Sequence, residues 1–375
     1  MITEKYEPIL MKLFLLLLFF SPFLDAAYYS KEKLLEKLQE PPKQWMLYQI
    51  QEDLSPFVHS GISKKLIAQT LKDVYRVPIA WNKANLVRIG IANNVAYSME
   101  RYQHYRMDGL VNFLNELAKN VTLPNLEFLF SLWDFYDNPS FLENTSSPVF
   151  IISKYKYNRK AVAVPDVTFL QNRYDNATNV LRVSAATPWE KRIDIPFWRG
   201  ATTDMPYTES GWDYRPRARL VLFSLNHPDV VNARFSHPAW LEDSMLNYFK
   251  ELEIIGDWRA VPLWIDYRYL LAVDGVAFPG CFNWELLSGS TTLKQDSEFI
   301  EWFYQALQPF VHYVPYKEDC SDLEEKVQWL RTHQQEAKQI AQNALDFAID
   351  NLENEDIMLY YYLLLKEYAK LWKNE

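Results

Sequence analysis

Hydrophobic residues are not spread evenly along this chain. Residues 13–20 form an unbroken apolar run, with Lys12 before it and the small residues Ala26 and Ala27 after it. A basic residue, a short apolar stretch and small residues in that order are the layout of a signal peptide, and Met11 is the better start because residues 1–10 are polar. The run falls short of the roughly 20 apolar residues of a spanning helix. An uncleaved anchor or a buried helix would also use such a run. Further on, helical spacing appears at Lys31–Leu38, at Ser63–Val74 through Ile67, Leu71 and Val74, and at Leu110–Leu117. The texture then changes. Leu126–Leu132 is a continuous apolar run behind a Leu123-Pro-Asn turn and predicts a buried strand. Pro148–Ile152 and Ile193–Trp198 predict two more, and Leu220–Phe223 and Leu270–Val273 read as strands or short helices. A helical pattern at Ala239–Glu251 lies among them. Strands alternating with helices predict an α/β fold with parallel sheets covered on both faces. The tail reads as helix through Leu323, Val327 and Leu330, then Ile340, Ala344 and Phe347. Ile357–Leu365 predicts a helix packed across the body of the protein.

Composition narrows the classes. The 375 residues are enough for two domains at about 150 residues each. Hydrophobic residues are 49% and charged residues 23%, an ordinary globular balance. Aromatic content is high at 16%, which suits large aromatic cores and also sugar or base platforms. The net charge of −9 argues against a nucleic-acid partner, which needs a basic face to displace counterions. No GxGxxG or GxxxxGK[ST] motif is present, so the common dinucleotide and P-loop signatures are missing. Two cysteines, Cys281 and Cys320, cannot build a disulfide framework or a cysteine-rich zinc site. The six histidines are scattered without an HExxH pattern, and no metal site is expected. If the chain enters the secretory pathway, the sequons at Asn120, Asn144 and Asn176 become relevant.

In open parallel sheets, ligands bind beyond the carboxyl ends of the strands. Two places fit: Asp134 after the Leu126–Leu132 run, and Arg199-Gly200 after the Ile193–Trp198 run. A carboxylate there can take a proton. A guanidinium can pair with phosphate through its planar fork, and glycine lets backbone approach closely. The same residue types also serve as caps and surface ion pairs at strand ends.

Phe197-Trp-Arg-Gly200 resembles the F/W-R-G motif of glycosyltransferase family 90, which holds protein O-glucosyltransferases and capsule- or lipopolysaccharide-modifying enzymes. Tyr267-Arg-Tyr269, Asp274-Gly275 and Leu286-Leu-Ser-Gly-Ser-Thr-Thr-Leu-Lys-Gln-Asp-Ser297 resemble the family's Y-K/R-Y, DG and LL-x-x-S…LKQDS elements, in order. Trp302-Phe-Tyr304, Pro309-Phe-Val-His-Tyr-Val-Pro315, Ser321-Asp-Leu323 and the tail helices continue the similarity, which covers about Asn125 to Leu365.

The resemblance implies a GT-B-like architecture, two Rossmann-like domains facing across a cleft with C-terminal helices. The expected division is residues 1–27 as signal or tether, 28–190 as the domain with the base, 191–350 as the nucleotide-sugar domain, and 351–375 as a terminal helix. It implies inverting sugar transfer from a UDP-sugar, glucose or xylose, without a metal or other cofactor, to a hydroxyl of a protein or glycan. By resemblance Asp134 is the base. Extra residues before Pro139 make Asp137 the runner-up. Arg199 would bind the UDP diphosphate. The loop of Asp274, Gly275, Val276 and Ala277 would be the second nucleotide-binding element. Family members often carry Arg where Cys281 stands, and Arg219 and Lys294 are basic residues that could compensate. The expected location is the secretory lumen, with a tether on the cytoplasmic face of a bacterial membrane as the alternative. Two other readings compete: a family member that binds without catalysing, motivated by Cys281, and a hydrolase using Asp134 and Asp137. The latter is the weaker, because two carboxylates three residues apart rarely face each other across a substrate.

Overall fold

The structure, a computed structural model, describes residues 29–76, 86–134, 145–167, 170–204, 207–208, 210–239 and 241–373, with backbone alone at 75–76 and 170–176. The signal-like run, Asp137 and Asn144 lie outside the described residues.

Helices α1 (Lys31–Gln39) and α2 (Gln44–Leu54), the short strand β1 (Ile62–Ser63) and helix α3 (Lys64–Arg76) precede the first sheet. Strands β2 (Leu86–Ala92) and β3 (Val95–Ser98) form a hairpin. Its turn residues Asn93 and Asn94 both sit at positive φ, 51° and 63°, where asparagine is tolerated and strand twist is matched. After helix α4 (Tyr105–Ala118) come β4 (Leu126–Ser131), β5 (Val149–Ile151), β6 (Lys154–Tyr155) and β7 (Ala161–Ala163). The sheet order is β3-β2-β4-β5-β7. Strands β4, β5 and β7 are parallel, but β2 runs antiparallel to both neighbours. This first unit is therefore a mixed sheet, not a fully Rossmann-like one. A two-residue turn can only return the chain antiparallel. Every residue of β4 is buried, as its unbroken apolar run requires.

Helix α5 (Leu170–Ala186) leads to the second unit: β8 (Phe197–Ala201), α6 (Pro216–Asn226), β9 (Asn232–His237), α7 (Asp243–Glu251), α8 (Val261–Trp264), β10 (Tyr269–Ala272), α9 (Phe282–Glu285), β11 (Thr291–Gln295), β12 (Phe299–Ile300) and β13 (Val314–Tyr316). The sheet order is β13-β11-β10-β8-β9, and every pairing in it is parallel. Counted along the chain this is the order 2-1-3-4-5 of doubly wound sheets. The order reverses between β8 and β10, and ligands bind at the carboxyl ends of such a pair. Strand β12 pairs antiparallel with β6, which stitches the second unit to the first.

The tail is α10 (Leu323–Thr332), α11 (Gln334–Asn351), α12 (Asn354–Leu371) and β14 (Trp372–Lys373), the last pairing with β1. Helix α12 returns to the first unit. A capping box between Glu353 and Asp356 starts it. The hydroxyls of Tyr360, Tyr361 and Tyr368 donate to the carbonyls of Ala163, Pro165 and Glu127 at 3.1, 2.8 and 3.0 Å, so three buried phenols are satisfied while their rings pack the core. One apolar core joins the first unit to α12 and to Phe282, Leu286 and Trp302 of the second, a smaller one packs Ile67 and Val74 of α3 on the other face of the first sheet, and a third fills the doubly wound unit. No helix among the described residues is long and apolar enough to cross a membrane.

One open reading is settled and one expectation changes. Leu220–Phe223 is helical, inside α6, whose start is set by Pro216 in the first turn. Arg199 and Gly200 lie within β8 and not beyond it. Arg199 continues the strand because its guanidinium lies over the Phe197 ring, 4.5 Å from the centroid. Gly200 continues it because the Trp198 ring occupies the space a side chain would need.

Candidate active site

The first candidate element is the end of β4. The chain leaves that strand through Leu132 and Trp133 to reach Asp134. Arg106, on the first turn of α4, crosses to this loop. Its Nη1 donates to the Leu132 carbonyl at 2.7 Å, and its Nη2 pairs with the Asp134 carboxylate. Asp166 approaches the same Nη2 at 4.0 Å. The Arg106 side chain is 8% exposed and that of Asp134 is 39% exposed. Asp134 is thus a carboxylate open to solvent on one side and oriented by a buried fork on the other. Arg106 has no signature in the sequence. Trp133 beside it is exposed.

The second element is the crevice between β8 and β10. Thr202 and Thr203 follow β8, and Val273, Asp274 and Gly275 follow β10. Arg217, in the first turn of α6, joins the two. Its Nε donates to the Asp274 carbonyl at 3.0 Å, and its Nη1 donates to the Ala201 carbonyl at 2.7 Å and to Thr203 Oγ1 at 2.6 Å. Its backbone N–H donates to the Asp204 carboxylate at 2.9 Å. Nη2 lies over Gly275: a Cβ there would stand 2.6 Å from Nη2 and 2.9 Å from Thr203 Oγ1. Glycine is needed at 275 for this close approach. Gly275 N–H donates to the Ala277 carbonyl at 3.0 Å and turns the loop through Val276.

Asp274 is held from below by the Leu-Lys-Gln-Asp-Ser segment. Its N–H donates to Gln295 Oε1 at 3.0 Å, and the Ser297 hydroxyl donates to its carboxylate. Burial raises the Asp274 pKa to about 6, against the opposing pull of Lys294, Ser297 and Arg217. Lys294 is buried. Its ammonium lies 4.7 Å from the Tyr304 ring centroid, and burial lowers its pKa. It faces the interior and supports Asp274 by charge.

Arg199 is elsewhere. Its Nη1 donates to the Trp198 and Asn232 carbonyls at 2.8 and 3.2 Å, and its Nη2 stands 3.5 Å from Asp257. Side chains alternate along a strand, so Arg199 shares a face with Phe197 while Trp198 and Gly200 share the other. Arg217 packs over Trp198, 5.6 Å from its ring. The expected guanidinium of Arg199 therefore sits on the opposite face from the crevice, and no contact joins it to Asp134. Arg219 is engaged elsewhere, with Glu318 at 3.6 Å and over the Tyr214 ring, and makes no contact with the crevice residues among the described residues. Arg217, like Arg106, has no local signature in the sequence.

Cys281 is partly exposed at the start of α9 and stays a neutral thiol, its pKa pushed well up by desolvation and then by Glu285. Among the described residues no three His, Cys, Asp or Glu side chains come together to hold a metal ion.

A doubly wound α/β unit with a guanidinium clasped over its switch point, joined to a second unit carrying a half-open carboxylate, is the build of a nucleotide-dependent group-transfer protein. The comparisons give that class its family: residues 40–375 match the model of glycosyl transferase family 90, and the chain belongs to it. Protein O-glucosyltransferase 1 of Rattus norvegicus is 28% identical over 348 residues, covering 86% of this chain and 79% of that protein. Protein O-glucosyltransferase 2 of Danio rerio is 31% identical over 299 residues, covering 76% and 56%. Protein O-glucosyltransferase 3 of Homo sapiens is 29% identical, covering 86% and 61%. Among solved structures, Anabaena Alr3699/HepE in complex with UDP-glucose is similar at 10% identity with a TM-score of 0.37, covering 62% of this chain and 66% of that one.

Proposed function

We propose that this protein transfers a sugar, glucose first and xylose second, from its UDP conjugate to a hydroxyl of a protein acceptor, with a glycan as the alternative acceptor. One observation carries the reading: Arg217 is fixed by three hydrogen bonds at the switch point of the doubly wound sheet, where a diphosphate would lie. The acceptor oxygen attacks the anomeric carbon as Asp134 takes its proton. The bond to UDP breaks, and the departing diphosphate gains negative charge. Attack from the face opposite the leaving group inverts the configuration. A carboxylate suffices as base because the hydroxyl becomes acidic only as the new bond forms. Arg217 stabilises the leaving charge from a position already paid for in folding, which is where electrostatic catalysis is most effective. That cation supports a metal-independent route. The names of the O-glucosyltransferase relatives support glucose and a protein acceptor. The apolar run at 13–20 supports entry into the secretory pathway.

UDP release from UDP-glucose and UDP-xylose, with Asp134→Asn as control, tests the reading. The wild type is expected to turn over, and the Asn variant to lose about a hundredfold or more. Full activity in Asp134→Asn would move the base, to Asp137 first. UDP binding without turnover of any donor would favour the binding-protein reading, which Cys281 motivates.

A further inference from the structure

Asp166 has no part in the mechanism above. It stands just past the end of β7, as Asp134 stands just past the end of β4, so both lie beyond the carboxyl ends of strands that run parallel in the first sheet. Its side chain is 4% exposed. The segment that carries it is fixed from α12, whose Tyr360 and Tyr361 hydroxyls donate to the carbonyls of Ala163 and Pro165 at 3.1 and 2.8 Å. Arg106 joins the two acids: the Nη2 that pairs with Asp134 lies 4.0 Å from the Asp166 carboxylate. The Arg106 side chain is itself buried, and its Nη1 is committed to the Leu132 carbonyl. Among the described residues, Asp134 and Asp166 are the carboxylates within ion-pair reach of it. One of them is partly open to solvent and the other is buried. That asymmetry matters when Asp134 works as a base. At rest, ionised Asp134 balances the guanidinium. Once it holds the acceptor's proton it is neutral, and the buried guanidinium loses that partner. An uncompensated buried cation is costly, and the cost would add to the barrier of the proton transfer.

We propose that Asp166 is the counter-charge that holds Arg106 while Asp134 carries the proton, and so keeps Asp134 usable as a base. The proposal rests on the sugar-transfer reading with Asp134 as the base. The acceptor oxygen bonds to the anomeric carbon, the bond to UDP breaks, and the acceptor's proton passes to Asp134 and leaves from its solvent-facing side. Meanwhile Arg106 Nη2 turns from Asp134 toward Asp166, closing the gap by about 1 Å to hydrogen-bond distance. Nη1 keeps its bond to Leu132, so the loop that carries Asp134 stays in place. Asp166 touches neither the substrate nor the reacting atoms; it is a positioning residue that acts through Arg106.

Initial rates of UDP release from UDP-glucose, with water standing in as the acceptor, test this on the full chain. Wild type, Asp166→Asn, Arg106→Gln and the double variant are compared, with Asp134→Asn as reference. Asp166→Asn is expected to lower kcat by about tenfold or more and to leave KM for UDP-glucose within about twofold of wild type. Its melting temperature is expected to stay close to that of wild type, because the resting guanidinium keeps Asp134. Arg106→Gln removes the cation, so adding Asp166→Asn to it is expected to change kcat by less than about twofold. A merely structural role for Asp166 would repeat the loss in both backgrounds. Wild-type kcat in Asp166→Asn overturns the proposal, as does an equal loss with and without Arg106. Should Asp166→Asn fail to fold, Asp166→Ser is read in the same two backgrounds. No UDP release by the wild type removes the transfer reading, and full activity in Asp134→Asn removes the base; the proposal falls with either. Its own failure differs from both, since it leaves the wild type active and Asp134→Asn impaired.

Discussion

Replacing Arg217 by lysine keeps the charge and removes the fork, and the geometry fixes what is lost. Arginine reaches three acceptors from two nitrogens: the Asp274 carbonyl at 3.0 Å, the Ala201 carbonyl at 2.7 Å and Thr203 Oγ1 at 2.6 Å. These acceptors belong to the chain leaving β8 and the chain leaving β10, so the fork fixes the width of the crevice. A lysine ammonium is one point on a flexible stem. It can keep the Ala201 and Thr203 pair, which Nη1 alone serves, but it cannot also occupy the Nε position facing Asp274. One charge-assisted bond is lost, worth roughly 1.5–3 kcal/mol, and the freed nitrogen over Gly275 disappears with it. The expected outcome for Arg217→Lys is UDP binding weakened by about 10- to 100-fold, with melting lowered by a few degrees. Calorimetry and thermal melting read the two effects. Arg199→Lys is the comparison, because its guanidinium faces Asp257 on the other side of the sheet. UDP affinity within twofold of wild type in Arg217→Lys, together with a large loss in Arg199→Lys, would refute the assignment of the crevice to the face of Trp198.

Gly275→Ala puts a methyl 2.6 Å from Arg217 Nη2 and 3.0 Å from its Cζ, so the fork must move; UDP affinity in a titration is expected to fall at least tenfold while the fold survives, because the side-chain end can yield. Gly200→Ala meets the ring of a Trp198 that is 2% exposed and cannot yield, so loss of stability by a few kcal/mol is expected in a denaturant melt. Asp274 has its pKa raised by burial from 3.8 to about 6, so its stabilising proton is fully held below about pH 3.8 and lost as pH rises through 6; Asp274→Asn is expected to remove a fall of about 3 kcal/mol between those values in pH-dependent unfolding.

The α/β class was legible because long apolar runs such as Leu126–Leu132 and helical spacings such as Leu323–Val327–Leu330 each carry their period in plain view. The hairpin at Asn93-Asn94 was not, since Arg88 and Gly90 interrupt the apolar run of β2 and β3 has only four residues. The position of Asp134 just past β4 was legible because the apolar run stops there. Arg199 misled for the same reason in reverse: the apolar run ends at Trp198, but the strand continues, because a guanidinium can pack flat on Phe197 and find Asp257. Arg217 and Arg106 act through carbonyls and carboxylates distant in the chain, and pairing across α4 or α6 leaves no local pattern. Several residues of the matching motifs act as supports in the structure. Lys294, Gln295 and Ser297 hold Asp274. In Ser288-Gly289-Ser290, the carbonyl of Ser288 and the hydroxyl of Ser290 accept from Arg192 at 2.9 and 2.7 Å.

On the proposed reading, the cation that meets the donor sits on α6 and not on the loop after β10. An arginine on the Asp274–Cys281 loop would order its long side chain only when the nucleotide arrives, and each such immobilisation costs about 0.5–1.5 kcal/mol of affinity. Arg217 is already immobilised by bonds to two strand ends, and its Nη2 has no hydrogen bond among the described residues, so on this reading the nucleotide meets a donor that needs no reordering. The same bonds limit it: a fork committed to three protein acceptors has one nitrogen to give, where a loop arginine could offer its whole fork to a diphosphate. The crevice therefore trades strength of grip for readiness.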